Sequence, residues 1–209
     1  MKIFLFFFII AFFNKSHAQI YSKCNITKNQ QELHVVDYEK IKCLAVNSTK
    51  KNTIIYTFGI WCKPCIYHLP QALGLELNYE TDVYVLIIDP ENSSLVTRAI
   101  NFFKEYDEKY QLQTKILLLQ DFEGKRSRSK KYKSFLAKIT PSNFENINDM
   151  SKYIVLNKKG ETLLVTNWKD SKDDPDWTDD KPMLRRLVIP LLTKKNVLED
   201  TGSDNSYGL

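Results

Sequence analysis

The segment Gly59-Ile60-Trp61-Cys62-Lys63-Pro64-Cys65 limits the folds open to this chain more than any other stretch. It follows "NTIIYTF", a run of β-branched and aromatic residues that predicts a buried strand. Beyond Cys62 the pattern loses strand alternation and continues apolar to Leu77, which predicts a helix opening at or just before Pro64. Pro70 should kink that helix, because proline lacks an N–H and its ring crowds the preceding turn. A buried strand must therefore pass into a helix across a pair of cysteines.

Several chemistries use two cysteines at this spacing. Structural zinc takes four Cys or His ligands, usually as two close pairs. Here there is one close pair; Cys24 and Cys43 are far apart and His34 is isolated. His68 lies three residues after Cys65 and completes only Cys-x-x-Cys-x-x-His. No metal site or cofactor is expected, although two soft thiolates would accept Cu(I). A purely structural disulfide would close too small a loop to stabilise much. Thiol–disulfide exchange fits the position better. Free N–H groups and the dipole at a helix start favour a thiolate at Cys62. Cys65, one turn in, would lie beneath it and resolve a mixed disulfide. Lys63 adds a positive charge and Pro64 stiffens the turn.

The compartment bears on that choice. Residues 1–18 have the plan of a secretory signal peptide: Lys2, an apolar run from Ile3 to Phe13, then Ser16 and Ala18 as the small residues before a cut. The run is short for a membrane anchor. No cysteine follows the cut directly, so a bacterial lipoprotein anchor is not indicated. A soluble, secreted or periplasmic protein is expected, in a compartment where all four cysteines can pair. Lys2 and Lys15 would leave with the leader and reduce the formal charge of +5. So mild an excess does not indicate a nucleic-acid binder, and a monomer is expected.

Past the pair, "DVYVLIIDP" predicts a strand stopped at Asp89-Pro90, residues 94–110 an amphipathic helix and "TKILLLQD" a third strand. Residues 124–139 predict a basic turn and helix. Residues 152–168 predict a hairpin about Lys159-Gly160, and 181–192 a last helix interrupted by Pro190. Helices alternating with strands, followed by a hairpin, predict an α/β domain with a mixed sheet and helices on both faces. On this reading residues 19–51 are an N-terminal extension packed on a domain of 52–194, and 195–209 are a flexible tail.

"FGIWCKPCIYHLP" resembles the active-site segment of thioredoxin-fold proteins, most closely the secreted redoxins of the TlpA/ResA-like type with their Trp-Cys-x-Pro-Cys core. The order of elements from Asn52 to Val165 is similar as well. The resemblance implies a thioredoxin-like sheet and a thiol–disulfide oxidoreductase of redox homeostasis, reducing rather than oxidising. It implies Cys62 as attacking thiol, Cys65 as resolving thiol, and protein thiols or disulfides as partners, with a membrane electron donor a further candidate. Substrate contacts would come from Trp61, Lys63, Pro64 and a cis-proline loop. Three departures stand out. The cis-proline place falls at Met150-Ser151, whereas the only nearby proline is in Thr140-Pro141; an insertion after a cis Pro141 is slightly favoured, since cis X–Pro costs far less than cis X–Ser. Tyr56 stands where thioredoxins carry a buried acid. Lys63 stands where thioredoxin has glycine. These departures keep open a non-catalytic binding protein or a Cu(I)-delivery factor using the same cysteines.

The remaining features read as structural. Cys24 and Cys43 are expected to form a disulfide worth about 3 kcal/mol, with 37–46 a helix capped by Asp37. His68 is expected on the solvated surface. The basic run Lys125, Arg126, Arg128, Lys130, Lys131 and Lys133 and the acidic loop from Asp170 to Asp180 are expected to be solvated, with Trp168 and Trp177 pinning that loop.

Overall fold

A computed structural model describes residues 19–121 and 127–194. The segment 1–18 expected to be a signal peptide, Lys125 and Arg126 of the basic run, and residues 195–209 expected to be a tail lie outside the described residues. The strands predicted as buried become the centre of a six-stranded sheet. β2 (Asn52–Phe58) and β3 (Thr81–Ile87) are buried at every position, as strands covered on both faces must be. β2 pairs with β3 in parallel and with β5 (Tyr153–Asn157) antiparallel, placing Tyr56 opposite Tyr153. β3 pairs in parallel with β4 (Ile116–Leu119), and β5 pairs antiparallel with β6 (Thr162–Val165). The spatial order is β1-β4-β3-β2-β5-β6.

β1 (His34–Val36) is a difference from the sequence reading. It adds a parallel edge to β4 and comes from the segment assigned there to an extension. Three residues are too few to show a period, so only its partner reveals it as a strand. α1 (Tyr38–Asn47) follows, with the Asp37 carboxylate accepting from the Lys40 N–H as its cap.

The helices form two layers. α2 (Lys63–Tyr67), α3 (Leu69–Asn78), α4 (Ser94–Tyr110) and the C-terminal helix α6 cover one face. α6 starts as Lys181–Met183, widens into a π-helical turn at Leu184–Val188 and resumes at Ile189–Thr193. The widening precedes Pro190, which has no N–H to give to the turn before it. α1, α5 (Arg128–Ile139) and the helical stretch at 19–23 cover the other face. Alternation in β2 divides its side chains accordingly: Ile54, Tyr56 and Phe58 face the first layer and Ile55 the second. Among the described residues no helix is long and apolar enough to cross a membrane.

The β5–β6 turn closes on Gly160, whose φ of +74° suits glycine; a Cβ there would also meet the Lys42 side chain at 2.5 Å. A disulfide joins Cys24 to Cys43, Cα atoms 5.7 Å apart, and fastens the end of the helical 19–23 stretch to α1 in the second layer. His34 stacks on Tyr21 with ring centres 3.7 Å apart, and burial lowers its pKa.

Candidate active site

β2 ends at Phe58, and the chain turns through Gly59-Ile60-Trp61 with the Cys62 N–H bonded to the Gly59 carbonyl at 2.9 Å. Cys62 is the N-cap of α2, and its sulfur accepts from the Cys65 N–H at 3.2 Å. The helix thus points its free N–H groups at the sulfur expected to carry charge. Pro64 occupies the first turn, where no N–H is needed. Cys62 is 7% exposed and Cys65 fully buried, and the two are joined as a disulfide with Cα atoms 5.2 Å apart. The pair is therefore asymmetric: one sulfur near the surface, one beneath it. Lys63 is exposed. The kink expected at Pro70 is a full break, with α2 ending at Tyr67 and α3 starting at Leu69.

Trp61 is anchored from a distance. Its indole N–H lies 3.0 and 3.2 Å from the two oxygens of Asp89, a fully buried carboxylate beyond β3. Arg128 pairs with Asp89 at 3.2 Å and lies over the Trp61 ring at 4.1 Å. The indole folds back over Gly59, where a Cβ would meet it at 2.8 Å. Trp61 stays 41% exposed, held but uncovered. Nothing in the spacing 61, 89, 128 announces this trio; the sheet brings it together. Lys131 corrects the expectation of a solvated basic run. It is buried, and its ammonium donates to the carbonyls of Asp89 and Leu119 and to the Asp121 carboxylate at 2.7–2.8 Å. Burial lowers its pKa, and Asp121 opposes that shift.

Beside Cys62 lies a groove of about 380 Å³ whose walls include Pro64, His68, Ser151, Trp168, Trp177 and Asp180. Neither Thr140 nor Pro141 lines it. Thr140 instead caps α5, and no peptide bond among the described residues is cis, so the insertion after a cis Pro141 does not hold. Ser151 occupies the place before β5, in the left-handed region at φ +65°. Its hydroxyl lies 2.8 Å from the Tyr56 hydroxyl, which donates to the Cys65 carbonyl at 2.9 Å. Tyr56, expected to leave a gap where an acid would sit, instead ties the helix to Ser151, two residues before β5. Burial raises its pKa, so it stays a neutral donor.

A buried acid is present, but it arrives from elsewhere. Asp180, expected in a solvated loop, is 2% exposed. The Tyr153 hydroxyl donates to its Oδ2, and the His68 ring lies 3.8 Å from that oxygen. Burial raises the Asp180 pKa, and the Tyr153 bond and His68 charge oppose that shift. His68 is likewise not a surface residue: it is 9% exposed, with Nδ1 3.0 Å from the Ser151 hydroxyl and Nε2 2.8 Å from the Trp177 carbonyl. The two tryptophans do not bury their rings to pin the loop, being 55% and 57% exposed; Trp177 packs edge-on to Tyr67 at 5.4 Å.

The decisive observation is the combination of strand order with the cysteine pair at the β2–α2 junction, opposite the segment entering β5. The fold is thioredoxin-like. No protein-family model matches the sequence, and no curated protein matches it. Solved structures of similar shape include a thiol-disulfide isomerase from Corynebacterium glutamicum, 19% identical, spanning 70% of this chain and 83% of its own, with a TM-score of 0.45. A thioredoxin-like protein from Porphyromonas gingivalis is 14% identical over 79% of this chain and 87% of its own, with a TM-score of 0.43. In this thioredoxin-like domain β3, α4 and β4 follow the active-site helices, so that β4 lies between β1 and β3. Among the described residues no group of three or more His, Cys, Asp or Glu side chains is placed to hold a metal.

Proposed function

We propose that this protein is an extracytoplasmic thiol–disulfide oxidoreductase acting on protein disulfides. The observation that carries the reading is the asymmetric pair: Cys62 capping a helix at the edge of a groove, Cys65 buried behind it. In the reducing direction the Cys62 thiolate attacks one sulfur of a substrate disulfide. That S–S bond breaks, a Cys62–substrate disulfide forms, and the departing thiolate takes a proton from solvent. The Cys65 thiolate then attacks the Cys62 sulfur and releases the second substrate thiolate. Two electrons have passed to the substrate, and Cys62–Cys65 is left as the disulfide. A dithiol donor, with a membrane protein as the candidate, would restore the pair. The exposed Trp61 ring and the groove walls would receive the polypeptide around the substrate cysteine, with Lys63, Pro64 and Ser151 beside it. Secretion rests on the leader sequence alone.

The test is Cys65→Ser, which leaves Cys62 able to attack and removes the resolving thiol. It is expected to accumulate client proteins on Cys62 that reducing agent releases. Absence of such adducts, together with stoichiometric Cu(I) bound to the reduced wild-type protein and no exchange activity, would replace this reading with copper delivery.

Reduction is the favoured direction. Lys63 favours the thiolate and so an oxidising pair, but it is exposed, and solvent and salt screen its charge. Equilibration with glutathione buffers is expected to give a potential near that of thioredoxin, about −270 mV; a value near −120 mV would mark an oxidant.

A further inference from the structure

His68 joins three parts of the chain at the groove: the active-site helices, Ser151 two residues before β5, and the loop leading into α6. The donors along this path can be counted. The Cys65 carbonyl can only accept, so the Tyr56 hydroxyl spends its single proton there. The Tyr56 oxygen must then accept from Ser151, which spends the Ser151 proton. Ser151 is left to accept, so His68 Nδ1 carries a hydrogen. The Trp177 carbonyl also only accepts, so His68 Nε2 carries one too. Both ring nitrogens donate, and a ring with two N–H groups is an imidazolium. The Asp180 carboxylate stands 3.8 Å away, almost without exposure, as its counter-charge. Its Oδ2 accepts from Tyr153, while its Oδ1 has no hydrogen-bond partner among the described residues.

A neutral His68 would break the chain. With Nδ1 bare, Ser151 would turn its proton to the ring, Tyr56 would have to serve Ser151, and the Cys65 carbonyl would lose its donor. The charge on His68 is thus linked to the backbone of the resolving cysteine and to the loop that carries Trp177. The groups facing His68 are Asp180 and Asp176 from the loop, Tyr153 from β5, Tyr56 from β2, and Cys62 and Cys65 from α2. Of the other charged groups on the groove, Asp149 is paired with Lys152 and Asp174 with Arg186, while Lys172 is exposed.

We propose that His68, held as an imidazolium against Asp180, is a positioning residue for the exchange reaction, fixing the Trp177 wall of the groove. The proposal rests on the exchange reading for its consequence but not for its charge state. A polypeptide substrate needs that wall; a small disulfide reaching only Cys62 does not.

Nitrogen-15 spectra of the histidine rings test the charge directly. His68 is expected to show two protonated ring nitrogens at pH 7 in the wild type and to lose one in Asp180→Asn, which retains an acceptor for Tyr153. His68→Gln keeps a donor for the loop without the charge. It is expected to lower kcat/KM for a disulfide-containing polypeptide about tenfold, with the rate on oxidised glutathione within about twofold of wild type. A neutral His68 ring at pH 7, or equal losses on both substrates in a folded variant, would overturn the proposal. Should the wild type exchange no disulfides, the ring spectra still decide the charge state, so the two readings fail separately.

Discussion

The Cys62→Ala protein is expected to lose thiol–disulfide exchange down to the uncatalysed rate while remaining folded. Cys62 caps α2 through one bond from the Cys65 N–H, and loss of a cap costs about 1 kcal/mol. Loss of the Cys62–Cys65 bond adds little, because the loop it closes is three residues in separation. The thermal midpoint should therefore fall by only about 2–4 °C for a chain of this size. Cys65 keeps its thiol but is fully buried, and no other cysteine is free to take over the attack. Cys24 and Cys43 are tied to each other and pack in the layer on the opposite face of the sheet. Reduction of a model protein disulfide, followed alongside thermal unfolding, separates the two effects. Retained exchange in the folded variant would place the chemistry elsewhere and remove the proposed function.

Asp149→Ala is expected to be the most destabilising single change outside the apolar core. Lys152 is 1% exposed; its ammonium pairs with Asp149 and donates to the Thr166 carbonyl at 2.9 Å. Burial lowers the Lys152 pKa and Asp149 opposes that shift, so removing the carboxylate leaves a buried cation without its partner. Breaking such a pair costs about 3–5 kcal/mol, or about 10 °C in thermal midpoint at this chain length. Asp149 also accepts from the Trp168 N–H at 2.6 Å, so the turn bordering the groove loosens as well. Replacing both partners, as in Asp149→Ala with Lys152→Met, should recover most of the loss, because the penalty comes from the uncompensated charge rather than from the absent attraction. Denaturation of the two single variants and the double variant gives the coupling energy. A value near zero would mean that Lys152 finds water or another acceptor on its own.

Local chemistry made the central elements legible. The runs at 52–58 and 81–87 are apolar enough to demand burial on both faces, and Pro64 and Pro70 mark where the helices after the pair start and break. The Asp37 cap and the turn at Gly160 are local in the same sense. His68 and Asp180 depart from the solvated positions their sequence surroundings suggest, for a common reason. A histidine near a proline and an aspartate in a run of aspartates look solvated when only their neighbours in sequence are considered. Each is buried because a partner 83 or 27 residues away in the chain supplies its hydrogen bond. Lys131 is the same case: its neighbours are basic, but carbonyls from two strand ends and one carboxylate surround its ammonium.

The amino-acid sequence by itself determined which two sulfurs sit at a strand-to-helix junction, because strand burial and helix initiation depend on residues within a few positions. It determined the alternation of strands and helices for the same reason. Only the tertiary structure decided the surroundings of that pair. Asp89 and Arg128 reach Trp61 because β3 ends and α5 begins beside the end of β2. Ser151 rather than Pro141 faces Tyr56 because β2 and β5 pair in the register that sets Tyr56 opposite Tyr153. Asp180 supplies the buried carboxylate because the loop before α6 folds back against β5. These groups come from distant segments, and their charge states depend on burial and on partners, which exist only once the chain has packed.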